Sequence, residues 1–162
     1  MIKKIIIDCD PGHDDAVAIM LASANENIEI LGITCVAGNA TLDNTKNNAL
    51  KICSLISNNQ IPIFAGAEKP LHYSLITAEH VHGKSGLDTD GQPIYITEGY
   101  NVQEMHAVDF IISTCHQQKE PIYLCPLGPL TNIALALQKD PSIKSKIKEI
   151  VFMGGAAMCL GN

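Results

Sequence analysis

The chain has 162 residues, a formal net charge of −6 and no arginine. That length suffices for one domain with a sizeable core, and an acidic, arginine-free composition excludes nucleic acid as a partner, because nucleic-acid binders need a basic face. The apolar runs are too short to span a bilayer and the N-terminus passes straight into a strand pattern, so the expectation is a cytoplasmic protein with no membrane partner.

Ile5, Ile6 and Ile7 follow two lysines and predict a buried parallel strand over 2–8. Pro11-Gly12 then forces a turn, since proline fixes φ and glycine tolerates unusual backbone angles. A helix is predicted over 14–24, with Val17, Met20, Leu21 and Ala24 along one face. A strand at 28–36 leads to a helix at 41–57, where Leu42, Thr45, Ala49, Ile52 and Ile56 keep the three–four spacing. A strand follows at 61–65. After a long stretch without periodicity come a helix at 106–118, a strand at 122–125, a helix at 130–138 and a strand at 149–153. Alternation of this kind implies an α/β, doubly wound, mostly parallel sheet with helices on both faces. The unpatterned segment, 68–104, contains His72, His80 and His82 with several glycines; a loop that long in a compact domain is usually functional or disordered. The six cysteines, Cys9, Cys35, Cys53, Cys115, Cys125 and Cys159, contain no C-x-x-C pair and read as buried free thiols.

Doubly wound sheets bind ligands at the carboxyl ends of their strands. Here those ends carry Asp8 and Asp10, Gly38 and Asn39, Pro126 to Gly128, and Gly154 and Gly155, so the motifs describe one rim. Asp8, Asp10, Asp14 and Asp15 crowd the first of these ends. Carboxylates that share a site raise one another's pKa unless a cation joins them. Asp14 and Asp15 fall in the first helical turn, where capping is a sufficient role, whereas Asp8 and Asp10 alternate onto one face of the strand tip. An oxygen-only set suits Ca²⁺ or Mg²⁺, and such a cation activates water for an aspartate to deprotonate. The spacing does not fit an EF-hand, whose bidentate glutamate position would fall on Ile19. His80-x-His82 lacks a third zinc ligand at useful spacing.

The motif Asp8-x-Asp10-Pro11-Gly12-x-Asp14-Asp15-Ala16 resembles the N-terminal signature of the inosine–uridine-preferring nucleoside hydrolases. Val36-Ala37-Gly38-Asn39 resembles the end of that family's second strand, and His80-Val81-His82-Gly83-Lys84-Ser85-Gly86-Leu87 its histidine–glycine loop. Pro126-Leu127-Gly128-Pro129-Leu130-Thr131-Asn132 and Met153-Gly154-Gly155-Ala156 follow in the family's order. The resemblance covers essentially the whole chain, at five stations.

The resemblance implies a ribonucleoside hydrolase that cleaves the N-glycosidic bond of uridine, cytidine or inosine to free base and ribose. It implies a Ca²⁺ ion held by Asp10, Asp15 and the Leu127 backbone carbonyl, with Asp8 as a further candidate, and Asp10 as the catalytic base. It places Asp14 and Asn39 on the ribose, His82 beside the nucleobase, and Met153 and Asn162 near the sugar. For Asn39 a helix cap, for Met153 a plain core position, and for Asp8 a purely structural role are the competing readings. His82-Gly83 with Ser85-Gly86-Leu87-Asp88 is closer in look to bacterial pyrimidine-preferring members. Residues 1–162 then form the N-terminal portion of a single nucleoside hydrolase domain, with the C-terminal half absent and a homo-oligomer, dimer or tetramer, expected of the complete protein. The alternatives are a truncated non-catalytic remnant of that fold, or a Mg²⁺-dependent phosphotransferase of the haloacid-dehalogenase type, whose first strand also ends in Asp-x-Asp but does not continue with Pro-Gly.

Overall fold

The computed structural model describes residues 2–57, 60–87, 94–96 and 99–158. Asp88, Cys159 and Asn162 lie outside the described residues. Six strands, β1 (Lys3–Cys9), β2 (Ile28–Cys35), β3 (Ile63–Ala65), β4 (Val102–Gln103), β5 (Ile122–Pro126) and β6 (Ile147–Ile150), alternate with helices α1 (His13–Ser23), α2 (Leu42–Leu55), α3 (Glu79–His82), α4 (Ala107–Gln117) and α5 (Thr131–Lys139). A 3₁₀ turn, Pro141–Lys146, precedes β6. The strand order is β4-β3-β2-β1-β5-β6, and every pairing is parallel.

Both faces of the sheet are covered. Ile5, Ile7 and Cys9 of β1 pack with Ile19 of α1 and with Ala49, Ile52 and Cys53 of α2. Ile6 points the other way, and with Ile122 and Leu124 it meets Ile111 and Cys115 of α4 and Ile133 and Ala136 of α5. These strand residues are apolar on both faces, as a sheet covered on both sides requires. Cys9, Cys35, Cys53 and Cys115 are buried free thiols, while Cys125, also free, is half-buried. No helix among the described residues is long and apolar enough to cross a membrane.

The predicted elements are present, with three differences. α1 exists, but its inward residues are Asp15, Ala16 and Ile19, while Val17 and Leu21 are exposed. The reason is local. Asp15 turns inward to reach the Gly12 amide, and at 100° per residue that fixes Ile19 inward and Val17 outward. In the unpatterned segment the structure adds α3 and β4, of four and two residues, too short to leave a periodic trace. β6 ends at Ile150 rather than 153, yet Val151 and Met153 still donate backbone hydrogen bonds to the Leu124 and Pro126 carbonyls, at 2.8 and 3.0 Å.

The order matters for function. From β1 the chain winds out through β2, β3 and β4, then returns to place β5 on the other side of β1. The carboxyl ends of β1 and β5 therefore flank the point where the winding reverses, which is where open α/β sheets form their ligand crevice.

Candidate active site

β1 delivers Asp8 and then Asp10 to this crevice, and Pro11-Gly12 turns the chain into α1, whose first turn carries Asp14 and Asp15. Asp8, Asp10 and Asp15 are buried, and Asp14 is exposed at the helix start.

Asp8 lies deepest. Its Oδ1 accepts from Thr34 Oγ1 at 2.5 Å and from Asn132 Nδ2 at 2.8 Å, and its Oδ2 is buried without a hydrogen-bond partner. Burial pushes its pKa up to about 7 against the pull of those two donors. Its backbone carbonyl accepts the Leu127 amide at 2.7 Å, which ties the end of β5 to the end of β1.

Asp10 is held from both sides. Asn39 donates its backbone N–H to Oδ2 at 2.6 Å and its side-chain Nδ2 to the Asp10 carbonyl at 3.2 Å. Gly38 lies against Oδ2 and Gly128 against Oδ1, so closely that a Cβ on either glycine would overlap the carboxylate. Burial raises the Asp10 pKa to about 7, the Asn39 amide lowers it, and the charges of Asp15 and Asp14 raise it again. Asn39 caps no helix in doing this, since α2 takes Thr41 as its N-cap.

Asp15 accepts the Gly12 amide through Oδ2 at 3.0 Å, a carboxylate at the third helical position reaching back to the cap. Its Oδ1 is buried with no partner. Its pKa is raised, first by burial and then by Asp14, against the Gly12 hydrogen bond.

A second layer closes over the Pro11-Gly12 turn. His82, the last residue of α3, rests against Gly12, where an added Cβ would come within 2.7 Å of its Nδ1. That nitrogen is buried and unpartnered, and the ring stacks on His13 with centroids 6.3 Å apart. The loop is fastened by Ala78 N to the Asn39 carbonyl at 2.9 Å and by Asn48, whose Nδ2 donates to Pro11 O at 3.1 Å and Ser85 O at 2.8 Å.

The structure thus gathers Asp8, Asp10, Asp15, Asn39, His82 and the Leu127-Gly128 turn at one crevice, with Asp14 at its mouth. Met153 lies beyond β6, bonded through its amide to Pro126 O, and is exposed in this chain. Three buried residues that hold the site together, Thr34, Asn48 and Asn132, were not singled out from the sequence. Asn48 had a signal: it falls on the apolar stripe of its helix between Thr45 and Ile52. Asn132 sits in a helix's first turn, where asparagine reads as an ordinary capping residue.

Among the described residues no three His, Cys, Asp or Glu side chains converge as a metal-holding group. A cation here therefore needs backbone oxygen beside the carboxylates. Such a donor set suits a hard cation, and the unpartnered Asp15 Oδ1, buried beside other carboxylates, fits one.

Residues 5–162 match the family described as inosine-uridine preferring nucleoside hydrolase. The chain is 47 % identical over 154 residues to the pyrimidine-specific ribonucleoside hydrolase RihB of Escherichia coli K12, covering 95 % of this chain and 48 % of that protein. It superposes on a solved inosine-guanosine nucleoside hydrolase with a TM-score of 0.91 at 33 % identity, covering all of this chain and 52 % of the other. On a purine-preferring ribonucleoside hydrolase from Gardnerella vaginalis the TM-score is 0.87 at 34 % identity, over 95 % of this chain and 49 % of that one. The chain spans about half the length of the relatives it matches. With the carboxylate crevice at the β1–β5 reversal and a match along nearly its whole length, the chain belongs to the inosine-uridine preferring nucleoside hydrolase family.

Proposed function

We propose that this chain is the N-terminal portion of a ribonucleoside hydrolase domain that splits the N-glycosidic bond of a ribonucleoside into free base and ribose. The observation that carries the proposal is the trio of buried aspartates at the winding reversal, two of them, Asp8 and Asp15, with an unpartnered oxygen. Burying several carboxylates without a counter-charge is costly, and a divalent cation offsets that cost.

Asp10, Asp15 and the Leu127 carbonyl would hold Ca²⁺, with Asp8 beneath them as a structural partner. When bound, the ion supplies positive charge that makes a water easier to deprotonate. Asp10 takes that proton. The Asn39 amide and the two flanking glycines fix the direction of its carboxylate. The water oxygen forms a bond to the anomeric carbon as the bond to the base nitrogen breaks, and the electron pair leaves with the base, which is then protonated. The sugar passes through an oxocarbenium-like state, as in other glycoside hydrolysis. Asp14 and Asn39 would orient the ribose hydroxyls, Met153 and Asn162 would lie along the sugar, and His82 would face the base. The likeness to a protein named as pyrimidine-specific supports uridine and cytidine as the first substrates to try.

Asp10→Asn in the protein that contains this chain tests the reading. Turnover of uridine should fall by about 10³-fold or more with the fold unchanged by circular dichroism. Chelation should abolish activity and Ca²⁺ restore it. Full turnover in Asp10→Asn, or in exhaustive chelator, overturns the assignment.

A further inference from the structure

Asn132 is fully buried, lies in the first turn of α5 and uses every hydrogen-bonding group of its amide. Nδ2 donates to Asp8 Oδ1 at 2.8 Å and to the Cys35 carbonyl at 3.1 Å, and Oδ1 accepts the Ala67 amide at 2.8 Å. One side chain thereby joins the carboxyl ends of β1 and β2, the segment leaving β3, and the helix that follows β5. The packing admits no slack: the amide lies against Gly66 at a distance that excludes a Cβ.

We propose that Asn132, acting through Asp8, is a positioning residue that sets the Leu127-Gly128 turn against the Asp10 carboxylate. The linkage is continuous. Asn132 fixes Asp8 Oδ1. The Asp8 carbonyl takes the Leu127 amide at 2.7 Å. The next residue, Gly128, closes on Asp10 Oδ1 from the side opposite Gly38. Three residues separate Gly128 from Asn132, so the turn is pinned at both ends: by Asp8 at Leu127 and by the Asn132 amide at the helix start. Asn132 touches neither substrate nor water in this scheme and acts only through its neighbours. The inference rests on the reading of Asp10 and the Leu127 carbonyl as Ca²⁺ ligands insofar as it concerns function. The mechanical linkage stands on the hydrogen bonds alone.

The test is amide hydrogen exchange on the protein that contains this chain, compared with its Ca²⁺ affinity by titration calorimetry. Asn132→Asp keeps the volume and an acceptor for Ala67 but loses both donors, and Asn132→Ala removes all three bonds. Ile143→Ala, at the one buried residue of the 3₁₀ turn that follows α5, serves as a destabilised control. The proposal expects Asn132→Asp to speed exchange at the Leu127 and Asn39 amides by tenfold or more over the Lys3 and Ile33 amides, and to weaken Ca²⁺ binding by about 10–100-fold, as loss of an outer-shell partner does. Ile143→Ala should raise exchange evenly and leave the Ca²⁺ affinity alone. Even loosening in Asn132→Asp, no different from Ile143→Ala, overturns the proposal. If the unaltered protein that contains this chain binds no Ca²⁺, the assignment of the metal site fails, and the exchange pattern still decides the role of Asn132. Should Asn132→Ala not fold, Asn132→Asp carries the comparison.

Discussion

The carboxyl rim of the sheet holds two regions built on opposite principles. In the β1–β5 crevice, polar and charged side chains are buried and nearly every donor is assigned: Asn39, Asn48 and Asn132 each make two or three hydrogen bonds into it. At the β6 edge the composition is reversed. Ile150, Val151, Phe152 and Met153 are apolar and exposed, Phe152 at 57 %. The crevice buries what water would solvate, and the edge leaves in water what burial would stabilise. Burying carboxylates is costly unless they are paired, which supports the cation proposed for the crevice, while the apolar edge is exposed in a chain that spans about half the length of its relatives.

The largest consequence of that contrast is a pH dependence confined to the crevice. Asp8 and Asp10 have folded-state pKa values raised from 3.8 to about 7 by burial. A carboxyl with a raised pKa holds its proton in the folded state where the unfolded chain has lost it. In Ca²⁺-free solution stability should therefore fall as pH rises from 4 to 7, and stay low above. For Asp8, fully buried, the shift of about three units corresponds to about 4 kcal/mol at 1.36 kcal/mol per unit. Asp140 acts in the opposite sense, its pKa lowered to about 2 by hydrogen bonds from His116 and Ser142, so its stabilising contribution is lost only below pH 4. Urea unfolding between pH 4 and 8 reads this directly. Asp8→Asn should flatten the slope, and Ca²⁺ at pH 8 should recover stability by binding the folded state. A stability that is level or rising across pH 4–7 in chelator would remove the electrostatic basis for a cation here.

Glycine-to-alanine substitutions sharpen the contrast in geometry. A Cβ at Gly128 would overlap Asp10 Oδ1, whereas one at Gly154, near the edge, would meet only the Phe152 ring at 3.3 Å. Gly128→Ala should therefore reduce kcat of the complete enzyme by about 10²-fold, the usual result of misplacing a reacting group by an ångström. Gly154→Ala should change it less than about threefold. Equal effects of the two would show that the Asp10 cradle is loose.

Much of the crevice was legible in the sequence because it is local. Asp8 to Asp15 fall on one strand end, one turn and one helical turn, and alternation with turn chemistry was enough to bring them together. The parallel, doubly wound architecture was legible too, since strands alternating with helices leave few topologies, but the strand order itself was not read from the sequence. The phase of α1 was not. Its residues are apolar nearly all round, and only the reach of Asp15 to Gly12, a contact formed after folding, decides that Ile19 faces inward and Leu21 outward. Asn48 and Asn132 were missed for a related reason. Each acts through partners 37 to 124 residues away in the chain; the apolar stripe of α2 marks Asn48 as inward-facing, but nothing in the sequence names the carbonyls it reaches.

The histidine layer should respond more weakly than the aspartates. His82 touches Gly12 and His13 rather than a carboxylate partner, so His82→Ala should alter the relative kcat/KM of uridine, cytidine and inosine by about three- to tenfold, a difference worth about 1 kcal/mol, with little change in thermal stability. Asn48→Ala frees the same loop from Pro11 and Ser85 and should shift the ranking in the same direction. Rankings unchanged in both variants would make His82 an ordinary loop residue.

The smallest effect on folding, and the clearest on behaviour, is expected at the edge. Among the described residues β6 stands at one end of the strand order, so one side of its backbone has no partner strand among them, and the exposed Val151-Phe152-Met153 run follows it. An unpaired strand edge flanked by apolar side chains is a template for association. The purified 162-residue chain should therefore self-associate as concentration rises, and Phe152→Lys should suppress this, because a charge on an edge opposes pairing. Since Phe152 is already more than half exposed, its replacement should change unfolding free energy by less than about 0.5 kcal/mol. Sedimentation velocity over a hundredfold concentration range separates the two effects. A monomer at every concentration, or association that Phe152→Lys does not reduce, would move the contact surface elsewhere, and the exposed Val17 and Leu21 of α1 would be the next residues to change.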